Sequence, residues 1–142
     1  MTPTLEDAII LAAGAHRGHV DKGGQPYILH VLRVMLRQED ETARIVAALH
    51  DILEDTHVTL TDLRAAGYSD DVCAAVVCLT RRPAETYEEM IERIARNPLA
   101  RQVKLADLAD NLDPKRLTPA DSAARARQAR YQASRKRLLA DG

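Results

Sequence analysis

Residues 45–49 read IVAAL and run straight into His50-Asp51, with Glu54-Asp55 one turn later. So apolar a stretch predicts the central, most buried helix of the fold, over about residues 41–53. It also predicts a helix that ends on a histidine and three carboxylates. Charged groups at the edge of a core cost stability unless something neutralises them.

The rest of the core is built from similar material. The chain has no Phe or Trp and only four tyrosines, an aromatic share of 3%. Ala, Leu, Val and Ile must fill the interior, which favours close-packed helices over a sandwich of strands. The 142 residues suffice for one domain with a real core. Periodicity and caps divide them into helices. Thr4 caps a first helix to about Gly18, and a second spans Ile28 to Gln38 after the polar loop VDKGGQPY. Thr59 or Thr61 opens a short helix ending at Gly67, Ser69 caps the next, and Thr86 starts YEEMIERIA. Residues 99–112 and about 120–140 complete the set, the last with an Ala- and Arg-rich, largely solvated face. The expectation is a single all-α domain, a helical bundle over residues 1–142.

Several partner classes drop out. A net charge of −1 gives no global attraction to nucleic acid or an acidic membrane. No apolar run approaches the length of a membrane span, and the N-terminus lacks the basic region of a signal peptide. Cys73 and Cys78, five apart on a helix, point about 140° away from each other. They read as core thiols in a reducing cytoplasm.

Neutral imidazole and carboxylate are ordinary ligands of divalent transition metals, and a bound dication compensates buried carboxylates. Adjacent helical residues lie about 100° apart, so His50 and Asp51 cannot build a site unaided. His30, just after the polar loop, and Asp107, in VKLADLADN, are the candidates to join them.

The ordered combination H…HD…D, carried by DKGGQPYILH (21–30), LHDILEDT (49–56) and VKLADLADNL (103–112), resembles the HD-domain metallo-phosphohydrolases. Within them it resembles the RelA/SpoT-type (p)ppGpp hydrolases, in the form of a small stand-alone alarmone hydrolase. The resemblance covers about residues 8–115. It implies an HD-type helical bundle in which His30, His50, Asp51 and Asp107 hold one Mn²⁺. Glu54 and Asp55 match the Glu-Asp pair near the attacking water, Lys22 a basic residue of the substrate pocket, and Asn111 a residue that contacts the nucleotide. The implied reaction removes pyrophosphate from the 3′ position of ppGpp or pppGpp. The hydrolase-like region uses nearly the whole sequence, leaving no room in it for a synthetase domain.

Chemistry agrees with these roles. A carboxylate one turn from His50 can orient a water or take its proton. Acidic residues at a helix C-terminus are disfavoured by the dipole, so Glu54 and Asp55 ask for another cause. Glycines and Lys22 suit the loop to an anion. Four positions depart from the family pattern: Asp21 where Arg is common, Val31 for proline, Leu108 for a basic residue, and Asp110 for His or Tyr. Asp21 and Asp110 add negative charge to the expected pocket, and arginines of the last helix such as Arg125, Arg127 or Arg130 are candidates to restore the balance. Two alternatives therefore stand: another phosphorylated nucleotide as substrate, such as a 3′-phosphorylated nucleotide or NADPH, or a nucleotide-binding domain without turnover.

Overall fold

A computed structural model describes residues 2–116 and 122–140. They form nine helices: α1 (Leu5–Ala15), α2 (Ile28–Leu36), α3 (Glu41–Leu49), α4 (Ile52–Asp55), α5 (Leu60–Ala66), α6 (Asp70–Cys78), α7 (Tyr87–Ala95), α8 (Pro98–Asn111) and α9 (Ser122–Ala140). Among the described residues the only β feature is an isolated antiparallel bridge between Val20 and Pro26. The fold is all-α, as the aromatic-poor core requires. The start of the last helix, expected near residue 120, lies outside the described residues.

Side-chain oxygens set the helix starts. Thr4 with Asp7, Thr59 with Asp62 and Thr86 with Glu89 each make a reciprocal capping box. Ser69, Asp40 and Asn97 cap α6, α3 and α8 singly. Gly67 stops α5 in the left-handed conformation, φ 98°.

Helix α3 is the centre. Six of its residues, Ala43 and Ile45–Leu49, are buried, and α1, α2, α6 and α8 pack around it. In turn α8 is flanked by α2, α7 and α9. Burying the helix on all sides brings its C-terminal end, α2 and α8 to one place.

Two boundaries differ from expectation where chemistry intervenes. The first helix ends at Ala15 rather than Gly18, with His16 as its C-cap. The central helix stops at Leu49 rather than Leu53. His50 ends it, and Asp51, at φ −106° and ψ 0°, starts the separate one-turn α4. The side chain of His50 turns back on its own helix, with Nδ1 2.6 Å from the carbonyl of Ala47. Glu54 and Asp55 therefore belong to a new short element, and the argument from the dipole of a long helix does not apply to them.

Candidate metal centre

Three elements deliver the site. His30 comes from the first turns of α2, His50 and Asp51 from the α3–α4 break, and Asp107 from the inner face of α8. His30 Nε2 lies 2.9 Å from Asp107 Oδ1. His50 Nε2 lies 3.0 Å from Asp51 Oδ2 and 3.5 Å from Asp107 Oδ1. His30, His50 and Asp107 are buried, and together they form a group able to hold a metal ion. Asp51, Glu54 and Asp55 form a second, adjoining ligand group. Of the four residues expected together, His30, His50 and Asp107 fall in the first group and Asp51 in the second, with its Oδ2 3.0 Å from His50 Nε2.

The donor chemistry suits a cation. The Nδ1–H of His50 donates to the Ala47 carbonyl, which leaves Nε2 as the lone-pair nitrogen. That nitrogen is buried, makes no hydrogen bond and faces two carboxylates. A buried polar atom so placed calls for a partner.

Without a metal, protons do part of the work. Burial disfavours a charged His50, but Asp51 and Asp107 outweigh it and hold the imidazole well above its ordinary range. His30 follows the same pattern through Asp107 and Asp110. Burial opposes ionisation of Asp107, yet Lys104 and the two histidines hold it well below the usual carboxylate range. Lys104 Nζ sits 2.9 Å from Asp107 Oδ2. Asp55 is different: burial, then the charges of Asp51 and Glu54, push it up to about 6.

Two clefts meet over this centre, sharing Tyr27, Asn111 and Tyr131. The inner one, about 210 Å³, holds His50, Asp51, Glu54, Asp55 and Asp107 on its walls. The outer one, about 420 Å³, is lined by Lys22 and Asp21 of the 19–27 loop and by Arg116, Arg127 and Gln128. Gly24, at φ 82°, permits the loop's tight turn. Arg127 of α9 thus faces the cleft, whereas Arg130 stacks on Tyr87 and Tyr131.

The family departures look different once placed. Asp110 does not add charge to the cleft. It is fully buried behind His30 and paired with Arg33 and Arg116. Leu108 is likewise buried in the core. Asp21 does line the cleft, but Oδ1 accepts from the backbone of Gly23 and Gln25 while Oδ2 pairs with Arg116 at 3.3 Å.

Sequence reasoning missed several residues here. Tyr27 donates its hydroxyl to Asp51. Lys104, Arg33 and Arg116 carry the counter-charges. Lys104, three residues before Asp107 on one helix face, was the one detectable signal. His16 is buried beside Tyr27, with neither ring nitrogen hydrogen-bonded, and burial lowers its pKa.

An all-helical bundle that breaks its central helix at a His-Asp pair, and meets it with a histidine and an aspartate from two other helices, defines an HD-domain protein. The comparisons place it further. The chain is 34% identical over 121 residues to a GTP pyrophosphokinase of Streptomyces coelicolor, covering 76% of this chain and 14% of that one. It is 31% identical over 120 residues to a guanosine-3′,5′-bis(diphosphate) 3′-pyrophosphohydrolase of Aquifex aeolicus, covering 76% and 17%. It therefore spans about one sixth of the length of these curated relatives or less. A solved structure described as a metazoan ortholog of SpoT that hydrolyses ppGpp and plays a role in starvation responses superposes with a TM-score of 0.75. The identity there is 25%, over 99% of this chain and 87% of that one. No protein-family model matches. The chain carries an HD domain of the RelA/SpoT type. No helix among the described residues is long and apolar enough to cross a membrane.

Proposed function

We propose that the chain is a Mn²⁺-dependent hydrolase that removes the 3′-pyrophosphate of ppGpp or pppGpp, with residues 1–142 acting as one HD-type catalytic unit in the cytoplasm. The observation that supports this reading is the group His30, His50 and Asp107 beside the group Asp51, Glu54 and Asp55 at the inner end of a nucleotide-sized cleft. Pockets for small molecules typically span about 300–1,000 Å³.

His30, His50, Asp51 and Asp107 are the ligand set in this reading. A divalent cation held by them would acidify a water and draw charge from phosphoryl oxygens. Asp55, in the same acidic group as Asp51, takes the water's proton. Glu54 accepts from the backbone N–H of Arg81 at 2.8 Å and orients the water from a fixed position. The water oxygen bonds to the phosphorus attached to the 3′ oxygen. The bond to that oxygen breaks, pyrophosphate leaves, and the 3′ hydroxyl takes up a proton. Lys22 and Arg127 line the outer cleft and meet the remaining phosphates, while Asn111, shared by both clefts, contacts the nucleotide between them.

The test is incubation of the purified protein with ppGpp and Mn²⁺. GDP and pyrophosphate are the expected products; absence of turnover by metal-loaded protein rejects the reading. Asp21 on the cleft wall favours one second reading, a different phosphorylated nucleotide such as a 3′-phosphorylated nucleotide or NADPH. Ranking a nucleotide panel by kcat/KM separates the two, since ppGpp leading by orders of magnitude excludes the second.

A further inference from the structure

The two histidines of the centre are held by unlike partners. His50 gives its Nδ1–H to a neutral backbone carbonyl, that of Ala47. His30 places Nδ1 2.6 Å from the carboxylate of Asp110, 80 residues away in sequence. Asp110 is fully buried, and both of its oxygens are engaged. Arg33 spans them, Nε donating to Oδ1 at 2.8 Å and Nη2 to Oδ2 at 3.3 Å, and Oδ2 also receives His30, with Arg116 Nη1 at 3.0 Å. Arg116 Nη1 also comes within 3.2 Å of His30 Nδ1, but its own acceptors are Asn111 Oδ1 and Asp110 Oδ2. The Nδ1 proton therefore belongs to His30 and points at Asp110.

We propose that Asp110 is a positioning residue for the metal: by accepting the Nδ1 proton of His30 it fixes the ring orientation and tautomer, presents Nε2 to the cation, and strengthens that nitrogen as a donor. The inference rests on the metal-centre reading above. A carboxylate behind a ligating imidazole raises its basicity, and loss of such a partner typically weakens metal affinity by about 10–100-fold. Arg33 and Arg116 have a distinct part. Paired with two cations, Asp110 is kept as a charged acceptor. Asp110 touches neither cleft and acts only through His30.

Mn²⁺ titrations read by the EPR signal of the free ion test this, with melting curves on the same samples. Asp110→Ala is expected to weaken Mn²⁺ binding by about 10–100-fold. Asp110→Asn keeps an oxygen for the Nδ1 proton but no charge, and is expected to fall between Ala and wild type. Nitrogen NMR of wild-type protein loaded with Zn²⁺, a diamagnetic probe, is expected to show His30 protonated at Nδ1. If Asp110 only ties Arg33 and Arg116 into the fold, the variants melt earlier but the folded fraction binds Mn²⁺ like wild type; that outcome, or a His30 protonated at Nε2, overturns the role of Asp110 alone. Wild-type protein that binds no Mn²⁺ overturns the metal centre and, with it, this inference.

Discussion

Tyr27 donates its hydroxyl to Oδ2 of Asp51, the same oxygen that lies 3.0 Å from His50 Nε2. Burial, reinforced by the charge of Asp51, pushes the phenol's pKa up, so Tyr27 remains a donor at any physiological pH. Tyr27→Phe leaves that carboxylate short of a partner. The expected loss in the metal-free protein is about 1–2 kcal/mol. A cation supplies the missing compensation, so the gap between metal-free and Mn²⁺-bound melting temperatures should widen in the variant. An unchanged gap would mean that Asp51 does not face the cation.

His50→Ala removes the nitrogen that stands between Asp51 and Asp107. Mn²⁺ binding should be abolished, as read by elemental analysis after gel filtration. Two carboxylates are then left facing each other, which raises their pKa values and costs stability. The expected loss is about 3 kcal/mol at neutral pH, on the scale of a broken buried pair, shrinking as pH falls and one carboxyl protonates. Full retention of Mn²⁺ would refute the site.

Burial, then the charges of Asp51 and Glu54, push Asp55 up to about 6 in the metal-free protein. The folded protein then holds this proton more tightly than the unfolded chain does. Its contribution to stability is complete below the ordinary carboxylate value, near 3.8, and is lost as pH rises through about 6. Asp55→Asn should remove that segment from the difference between wild-type and variant melting curves measured across pH 3.5 to 7 in the absence of metal. In the loaded protein the same change should lower kcat by about 10²–10⁴-fold with Mn²⁺ retained. A nucleotide-binding domain without turnover would instead keep its function.

Local signals made the helices legible. Thr4, Ser69 and Thr86 announce their caps by residue type and spacing, and IVAAL announces the buried centre. The break after Leu49 was not legible, because it depends on His50 folding back onto Ala47 while Nε2 faces Asp51 and Asp107. Nothing local encodes that geometry. Of the site, His50-Asp51 stood out as charge beside a core, whereas His30 and Asp107 gained weight only through the three-segment resemblance. Asp110 was read as a pocket charge because its partners, Arg33 and Arg116, become visible only when α2, α8 and the turn after α8 are packed together. Tyr27 and Asp51 lie 24 residues apart, beyond the reach of any periodicity.

Glu54 is held by a segment that itself needs holding. Its Oε1 accepts from the backbone N–H of Arg81, in the turn between α6 and α7. Arg93 ties that turn down, donating to the carbonyls of Cys78 at 2.6 Å and Thr80 at 3.1 Å and to both oxygens of Glu85. The hydrogen bonds from Arg93 are the main reason Glu85 is held down to about 2. A carboxyl depressed in the folded state stabilises fully above its ordinary value near 4.5, and this contribution fades as pH falls toward about 2. Glu85→Gln should therefore flatten the acid limb of the melting profile over that range. Arg93→Ala should release the turn, let Glu54 drift and lower kcat, since small displacements of a positioned group cost up to about 10²-fold. Mn²⁺ affinity should stay at the wild-type value, because His30, His50, Asp51 and Asp107 have no contact with this clip. Loss of Mn²⁺ binding in Arg93→Ala, or an unchanged kcat in a folded variant, would reject the link from the turn to Glu54.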